Sequence, residues 1–288
     1  MKRSGKLRGN LLSPSQQVVN TAFLLLIFLI MAVPMWNVIV ISTSSTVDAS
    51  SAGLKLWWKS FSFEGYEWIL RVAKVDRAFF NSMFVSSVST VIQVALSALA
   101  GYILIQRGLP YKNLITSFIL FTMMVPGDLT LISIYQLNRQ MHLINTYSGL
   151  ILNGLISGFS ILMMRSYFLS TPNSLAESAR IDGAGELRIF ARIYLPLSAP
   201  GLATIFFLEF VKKWNSLTIP AAIISDQKMF TLPLMLKSLV VEANSSTPNA
   251  PDNAVMAAIV ISTIPLLAIY VFAQQFLMSG ITLGSSKE

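Results

Sequence analysis

The sequence predicts an all-α, polytopic membrane protein with six transmembrane helices, and three observations carry that prediction. First, 54% of the 288 residues are hydrophobic and 12% are charged, at a mean hydropathy of +0.64, whereas a soluble domain carries about a quarter charged residues. Second, residues 9–47, 78–106, 142–164 and 253–286 hold no side chain that is ionised at neutral pH. A helix crosses the hydrocarbon with about 20 mostly apolar residues, and each stretch is long enough. Third, the apolar runs lack the in-and-out alternation of a barrel strand. Backbone polar groups inside lipid must be satisfied within their own segment, so these runs are helices.

The first span, 18–41, reads "VVNTAFLLLIFLIMAVPMWNVIVI" and follows Lys2, Arg3, Lys6 and Arg8 in a short N-terminal tail, residues 1–17. It is longer than the roughly 7–15 residues of a secretory leader's core, and no small-residue cleavage site follows it cleanly. It is therefore expected to be retained. Next come Trp57, Trp58, Phe61, Phe63, Tyr66 and Trp68, read as an aromatic belt at headgroup level, with a docking surface for an external partner as the second reading. The second span, 82–105, is rich in small residues, "SSVSTVIQVALSALAG", which suits close helix packing. The third, 114–137, contains "MMVPGDLT". Pro126 and Gly127 should kink or break it, and Asp128 is an acid at membrane depth, tolerated where it faces protein or a water-filled cavity. The fourth span is 148–168. The fifth, 199–222, carries Glu209, Lys212 and Lys213 in "FLEFVKKWNSLTIP", and the sixth is 254–277. With the N-terminus inside, Lys and Arg divide 11 to 10 between the two sides. The dense basic tail before the first helix decides for a cytoplasmic N-terminus in the cell's inner membrane.

The chain has no cysteine, which excludes disulfides and thiolate metal sites. Its one histidine, His142, beside a predicted loop, reads as an interfacial polar residue. No cluster of His, Asp and Glu has metal spacing, and no nucleophile elbow, Walker-type loop or dinucleotide fingerprint occurs. No catalytic centre, cofactor, metal or nucleic-acid partner is expected. If the protein's work uses ATP, another chain must bind it.

Between the fourth and fifth spans stands a charged stretch, "ESARIDGAGELRIFARIYLPLSAP", from Glu177 to Pro200. "SLAE" at Ser174–Glu177 has capping-box spacing, and Pro172 suits a first helical turn. A short helix is predicted to about Asp182, where Gly183 can take the left-handed conformation. A second short helix should end at Pro196, with Leu187, Phe190 and Tyr194 on one apolar face and Arg188 and Arg192 as a polar ridge. The pair reads as an elbow whose exposed apolar ridge suits a groove on a soluble partner.

This stretch resembles the cytoplasmic "EAA" loop of ABC importer membrane subunits. The pattern falls on Glu177, Ser178, Ala179, Asp182, Gly183, Ala184, Phe190, Ile193, Pro196 and Pro200, with Ser178 in place of one alanine. "FFNSMFVSSVSTVIQVALSALAGYILIQRG", "EFVKKWNS" and "MAAIVISTIPLLAIYVFAQQFLMSGITLGS" extend the resemblance to the second, fifth and last spans of carbohydrate permeases similar to the smaller membrane subunit of the maltose importer. Within that group the chain looks most like permeases for complex oligosaccharides or polysaccharides, including the second membrane subunit of alginate importers. The resemblance implies a type I importer fold, with residues of about 170–198 as a coupling loop. It also implies a second permease subunit in a heterodimer, two cytoplasmic ATPases that bind ATP and Mg²⁺, an external solute-binding protein and a saccharide cargo, acidic and alginate-like as the specific expectation. The loop must then face the cytoplasm.

Other residues are weighed against plainer roles. Lys212 and Lys213 could pair with Glu209 and snorkel outward, or give a cavity mouth a potential that attracts an acidic sugar. Asp128 could be a proton or ion site in a secondary transporter, or, as favoured here, line the pathway or end a broken helix. Trp214 and Asn215 could line the pathway or pack the fifth span, with the pathway favoured, and Gln93 and Gln136 are weaker candidates for it. An ion-coupled secondary transporter, acting alone, is the alternative. It would show repeats and several intramembrane acids, and no repeat is visible.

Overall fold

A computed structural model describes residues 13–245 and 249–285. Among the described residues the chain is helical with no strand, only an isolated bridge between Ser44 and Phe61. Helix α1 (Pro14–Ser42) starts at a capping box in which Ser13 and Gln16 bond reciprocally, leaving two fewer orphan N–H groups. Its residues 18–31 expose their apolar side chains almost without interruption, as a helix against lipid must. After α2 (Thr46–Ala49) and α3 (Glu64–Arg71), the long α4 (Val75–Ile103) runs through the centre of the chain. Then follow α5 (Lys112–Met123), α6 (Leu131–Gln140), α7 (Tyr147–Leu152), α8 (Gly158–Ser170), α9 (Asn173–Ile181), α10 (Glu186–Ile189), α11 (Leu195–Leu197), α12 (Ala199–Trp214), α13 (Thr218–Ile223), α14 (Leu232–Ala243) and α15 (Asp252–Ser285).

Three of the six expected spans are interrupted. Three described helices, in α1, α4 and α15, are long and apolar enough to cross a membrane, and a fourth such unit is a pair of helices bent by 77°. The third expected span is broken into α5 and α6 by a 3₁₀ turn at Gly127–Thr130, directly after Pro126, whose ring cannot sit in a helix interior without a kink. The fourth is split into α7 and α8 by residues 153–157, around Gly154 at φ +83°. The fifth divides into α12 and α13 at residues 215–217. These breaks expose backbone polar groups that need protein or water around them.

Helix α4 packs chiefly on α8 and α12. It turns Ser82, Ser86, Ser89, Thr90, Gln93 and Ser97 inward, all buried, at the three- and four-residue steps that keep one face of a helix. At Gly101 the helix passes close to α8: an added Cβ would lie 2.9 Å from Met164 Cβ and from the Arg165 backbone nitrogen. One apolar core gathers around the N-terminal half of α4, with Ile69, Phe210, Trp214 and Leu232. A second gathers at its C-terminal end, with Tyr102, Met164, Phe168 and Ile189.

The aromatic segment after α1 forms a ladder of edge-to-face contacts: Trp36–Trp58, Trp57–Trp58, Trp58–Phe61, Phe61–Phe63 and Phe63–Tyr66, with centroids 5.0–6.0 Å apart. Trp36 Nε1 donates to the Leu56 carbonyl at 2.9 Å and Trp58 Nε1 to Thr43 Oγ1 at 2.7 Å. Amphipathic rings with one polar end satisfied fit a headgroup-level position.

Candidate functional site

The charged stretch folds as an elbow. Helix α9 ends in a Schellman motif: the Gly183 N–H donates to the Arg180 carbonyl at 3.0 Å, and the Ala184 N–H to the Ala179 carbonyl at 2.9 Å. Gly183 sits at φ +79°, the left-handed conformation that glycine reaches without a Cβ penalty. The N-terminus of α9 differs from expectation. Pro172 is the N-cap, with no side-chain cap bond, and Ser174 lies inside the helix, so no capping box forms. The second arm ends one residue beyond Pro196. The chain runs from α10 through one π turn (Phe190–Tyr194) into α11, with Pro196 in it, and the 77° bend comes between Leu197 and Ala199. The proline has no N–H to donate to the preceding turn, and the helical ladder departs from its regular spacing in the π turn directly before it.

The apolar face is also divided differently from the expected exposed ridge. Phe190 and Tyr194 are 7% and 3% exposed, whereas Leu187 is 74% and Ile181 is 87% exposed. Phe190 and Tyr194 point back into an aromatic cluster with Tyr102 of α4 and Phe168 of α8, at centroid distances of 5.0–6.2 Å. Burying four rings in mutual contact, edge-on in all pairs but the tilted Tyr102–Phe190, stabilises more than exposing two of them. What the elbow presents outward is Ile181 and Leu187, with Glu177, Ser178, Asp182, Arg188 and Arg192 also exposed. Ala179, Ala184 and Ile193 are half-buried against the second core.

Polar contacts clamp the elbow to the end of α4. Tyr102 Oη donates to Glu186 Oε2 at 2.6 Å, and Arg180 Nε donates to Glu186 Oε1 at 2.7 Å. Arg180 Nη2 reaches Gln106 Oε1 at 3.3 Å, and Arg107 pairs with Glu177 at 2.8 Å. Tyr102, Gln106 and Arg107 were not legible as site residues. Their partners lie more than 70 positions away in most of these contacts, and no local spacing announces them.

Arg180 first, and then the Tyr102 hydroxyl, hold the Glu186 carboxyl below the usual carboxylate range. A carboxyl depressed by folding contributes stability above its unfolded pKa, and the contribution is lost as pH falls through the lower folded value. The unfolding midpoint of the purified protein should therefore fall more steeply below about pH 4 than that of Glu186→Gln. Both partners are about half exposed, so the ionic share at neutral pH is under ~1 kcal/mol. Superimposable pH profiles for the two proteins would remove it.

Inside the helical bundle, the polar residues do not pair as their spacing suggested. Glu209 is 4% exposed and accepts from Ser160 Oγ at 2.5 Å, with Gln93 and Ser157 beside it. Lys213 is half-buried and donates to the Gly154 carbonyl at 2.8 Å, across to the break between α7 and α8. Neither Lys212 nor Lys213 forms an ion pair with Glu209 among the described residues. Trp214 is 1% exposed, stacks on Phe210 at 5.8 Å and donates to the Ser262 carbonyl at 3.1 Å. These contacts are those of the packing reading for this residue. Asn215 and Lys212 are exposed, as is Gln136. Gln93 is buried, with its Oε1 unpaired among the described residues. His142 is exposed at the end of α6, at φ +56°. Asp128 falls in the 3₁₀ turn, and its side chain lies outside the described residues. No group of three His, Cys, Asp or Glu capable of holding a metal occurs among the described residues.

Comparison with known proteins gives a consistent picture. Residues 93–282 match the family model described as binding-protein-dependent transport system inner membrane component. The polygalacturonan/rhamnogalacturonan transport system permease protein YtcP of Bacillus subtilis (strain 168) is 31% identical over 275 residues, covering 92% of this chain and 96% of its own. The arabinooligosaccharides transport system permease protein AraQ of the same organism is 30% identical over 274 residues, covering 94% and 96%. Among solved structures, a chain of a bacterial ABC transporter involved in the import of the acidic polysaccharide alginate superposes with a TM-score of 0.83 at 24% identity, over 93% of this chain and 99% of that one. At that identity the likeness establishes a shared fold.

Proposed function

The chain belongs to the binding-protein-dependent transport system inner membrane component family as a membrane permease of a sugar or oligosaccharide ABC importer, and we propose that it forms half of a pathway for an acidic oligo- or polysaccharide, driven through its elbow by a separate ATPase. The observation that carries the proposal is the elbow itself: a rigid two-helix projection with Ile181 and Leu187 outward and its base clamped to Tyr102, Gln106 and Arg107. A projection so braced transmits a push rather than absorbing it.

The mechanism follows from the connections. Two cytoplasmic ATPases bind ATP and Mg²⁺, and their closure draws together the elbows of this chain and of a second, unequal permease subunit. Here the elbow continues through the 77° bend into α12 and is locked to α4, so its displacement tilts both helices as a unit. That is a shared two-state element biased from two sites. An external solute-binding protein supplies the cargo on the opposite side. The N-terminus lies in the cytoplasm with the elbow. Membrane lipid meets the exposed apolar flank of α1.

The acidic cargo is supported by the relative named for polygalacturonan and by the neighbour named for alginate, both chains of carboxylate-bearing sugars. Lys212 and Asn215, exposed at the end of α12, are assigned to the pathway with Lys213, Glu209 and Asp128. The Lys212→Gln/Lys213→Gln double variant should lower uptake of an acidic oligosaccharide by roughly 10-fold and leave a neutral one of equal length unchanged. Equal loss for both cargoes would remove the charge argument.

The deciding experiment is uptake by membrane vesicles containing this chain and its partners. Labelled oligogalacturonate should enter only with ATP and the partner ATPase present. The buried carboxylate of Glu209 is the one observation that favours an ion-coupled carrier instead, and uptake on an ion gradient without ATP would establish that reading.

A further inference from the structure

A cavity lined in part by the start of α4 lies far from the elbow. It has a volume of about 680 Å³ and sits between α3, the start of α4, the 3₁₀ turn at Gln227–Met229 and α14. Helix α4 separates the two: the cavity is lined by Lys74, Arg77 and Ala78 at its N-terminal end, and Tyr102 holds the elbow at the other. Twenty-nine residues at a rise of about 1.5 Å each place them about 43 Å apart, a full membrane thickness. The cavity therefore opens on the face opposite the elbow.

Three cations line it, Lys74, Arg77 and Lys228. All three are exposed, and none takes part in an ion pair among the described residues. One acid, Glu242, also lines the cavity. Two further carboxylates stand close in sequence: Asp76 in the first turn of α4, and Asp226, which accepts from the Lys228 backbone N–H at 2.9 Å. Neither Asp76 nor Asp226 lines the cavity or pairs with a cation. The remaining polar lining consists of Gln227, Asn249 and Ser238, and the half-buried indole of Trp68 supplies an aromatic wall. Phe230, Met235 and Leu239 contribute apolar surface.

We infer that this cleft is a binding site for a carboxylate-bearing oligosaccharide on the outer face of the protein. Unpaired cations answer carboxylates, amides and a hydroxyl answer sugar hydroxyls, and an aromatic face receives the apolar face of a sugar ring. The volume lies within the roughly 300–1,000 Å³ of ligand sites. An anionic lipid headgroup would use the same cations, and the phosphatidylglycerol comparison below separates the two. The inference rests on the acidic-saccharide reading above and adds where this subunit first holds its cargo.

The test uses the complex purified through a tag on this chain, in nanodiscs of zwitterionic phosphatidylcholine. Reductive methylation of individual lysines is followed by mass spectrometry, with and without trigalacturonate, trimannuronate or maltotriose. At least one acidic trimer should slow labelling of Lys74 and Lys228 about 3-fold or more. Maltotriose should not, and Lys237, on α14 outside the cleft, should be unaffected. The Arg77→Gln variant should need roughly 10-fold more acidic trimer for the same protection. Unchanged labelling with both acidic trimers overturns the site. So does equal protection by maltotriose, or protection that arises only when phosphatidylglycerol replaces the zwitterionic lipid. ATP-driven uptake without lysine protection would refute the cleft and leave the import reading standing. Protection without any ATP-driven uptake would do the reverse.

Discussion

Replacing Gly101 with leucine is expected to remove most of the folded protein. At this position α4 passes so close to α8 that even a Cβ would lie 2.9 Å from Met164 Cβ and the Arg165 nitrogen, and 3.1 Å from the Ile161 carbonyl. Two of those three neighbours are backbone atoms held in the hydrogen bonds of α8, so rotamer changes cannot relieve the contact. Overpacking of this kind costs about 1–3 kcal/mol and sometimes more, a large part of a typical total stability. Gly101→Ala should show a smaller loss and Gly101→Leu a larger one, read as monodisperse protein recovered in detergent and as its unfolding temperature. Gly185→Ala is the control, since its φ is −71° and nothing lies within 4 Å of its added Cβ. If Gly101→Leu matches the wild type in both measurements, α4 and α8 do not pack as described. The damage should reach the elbow too, because Met164 and Phe168 belong to the same core as Tyr102 and Phe190.

The second large effect is functional. Gly183→Pro and Asp182→Lys should leave the complex inserted and its ATPase active, while saccharide uptake per ATP falls roughly 10-fold or more. Proline locks φ near −65°, and Gly183 needs +79°. The ring also removes the N–H that donates to the Arg180 carbonyl. A misfit of this kind costs about 1–3 kcal/mol locally, enough to redirect the projection, while Gly183 itself is exposed and belongs to neither core. Asp182→Lys leaves the backbone intact and reverses an exposed charge between Ile181 and Gly183, so it examines the docking face alone. Uptake and ATP hydrolysis are to be measured on the same proteoliposomes. Wild-type coupling in both variants would falsify the role given to the elbow.

How much of this could be read in advance varies with the range of the interaction. The break at Pro126–Gly127 and the left-handed Gly183 were legible because each depends on one or two residues and their immediate neighbours. The same holds for the exposed Arg188 and Arg192. The orientation of Phe190 and Tyr194 was not. Their spacing correctly put them on one face, but spacing does not say whether that face meets a partner or the chain's own Tyr102 and Phe168. Local pattern left Trp214 between pathway and packing for the same reason, since its neighbours Phe79 and Ser262 come from distant helices. The i+3 and i+4 pairing of Glu209 with Lys212 and Lys213 lost to Ser160 and the Gly154 carbonyl, which a local rule cannot see.

Composition and local pattern were enough to establish a helical membrane protein, the order of its apolar segments, the position of its charged elbow and the family it resembles. Hydropathy, helix termination and motif spacing are all short-range properties of the chain. Only the folded arrangement determined which spans stay whole, that the elbow is tied to α4 through Tyr102, Gln106 and Arg107, and that unpaired cations gather around a cleft at the opposite end of that helix. Those features arise where segments far apart in sequence meet, and the free energy of such meetings resides in packing and charge across elements rather than along any one of them.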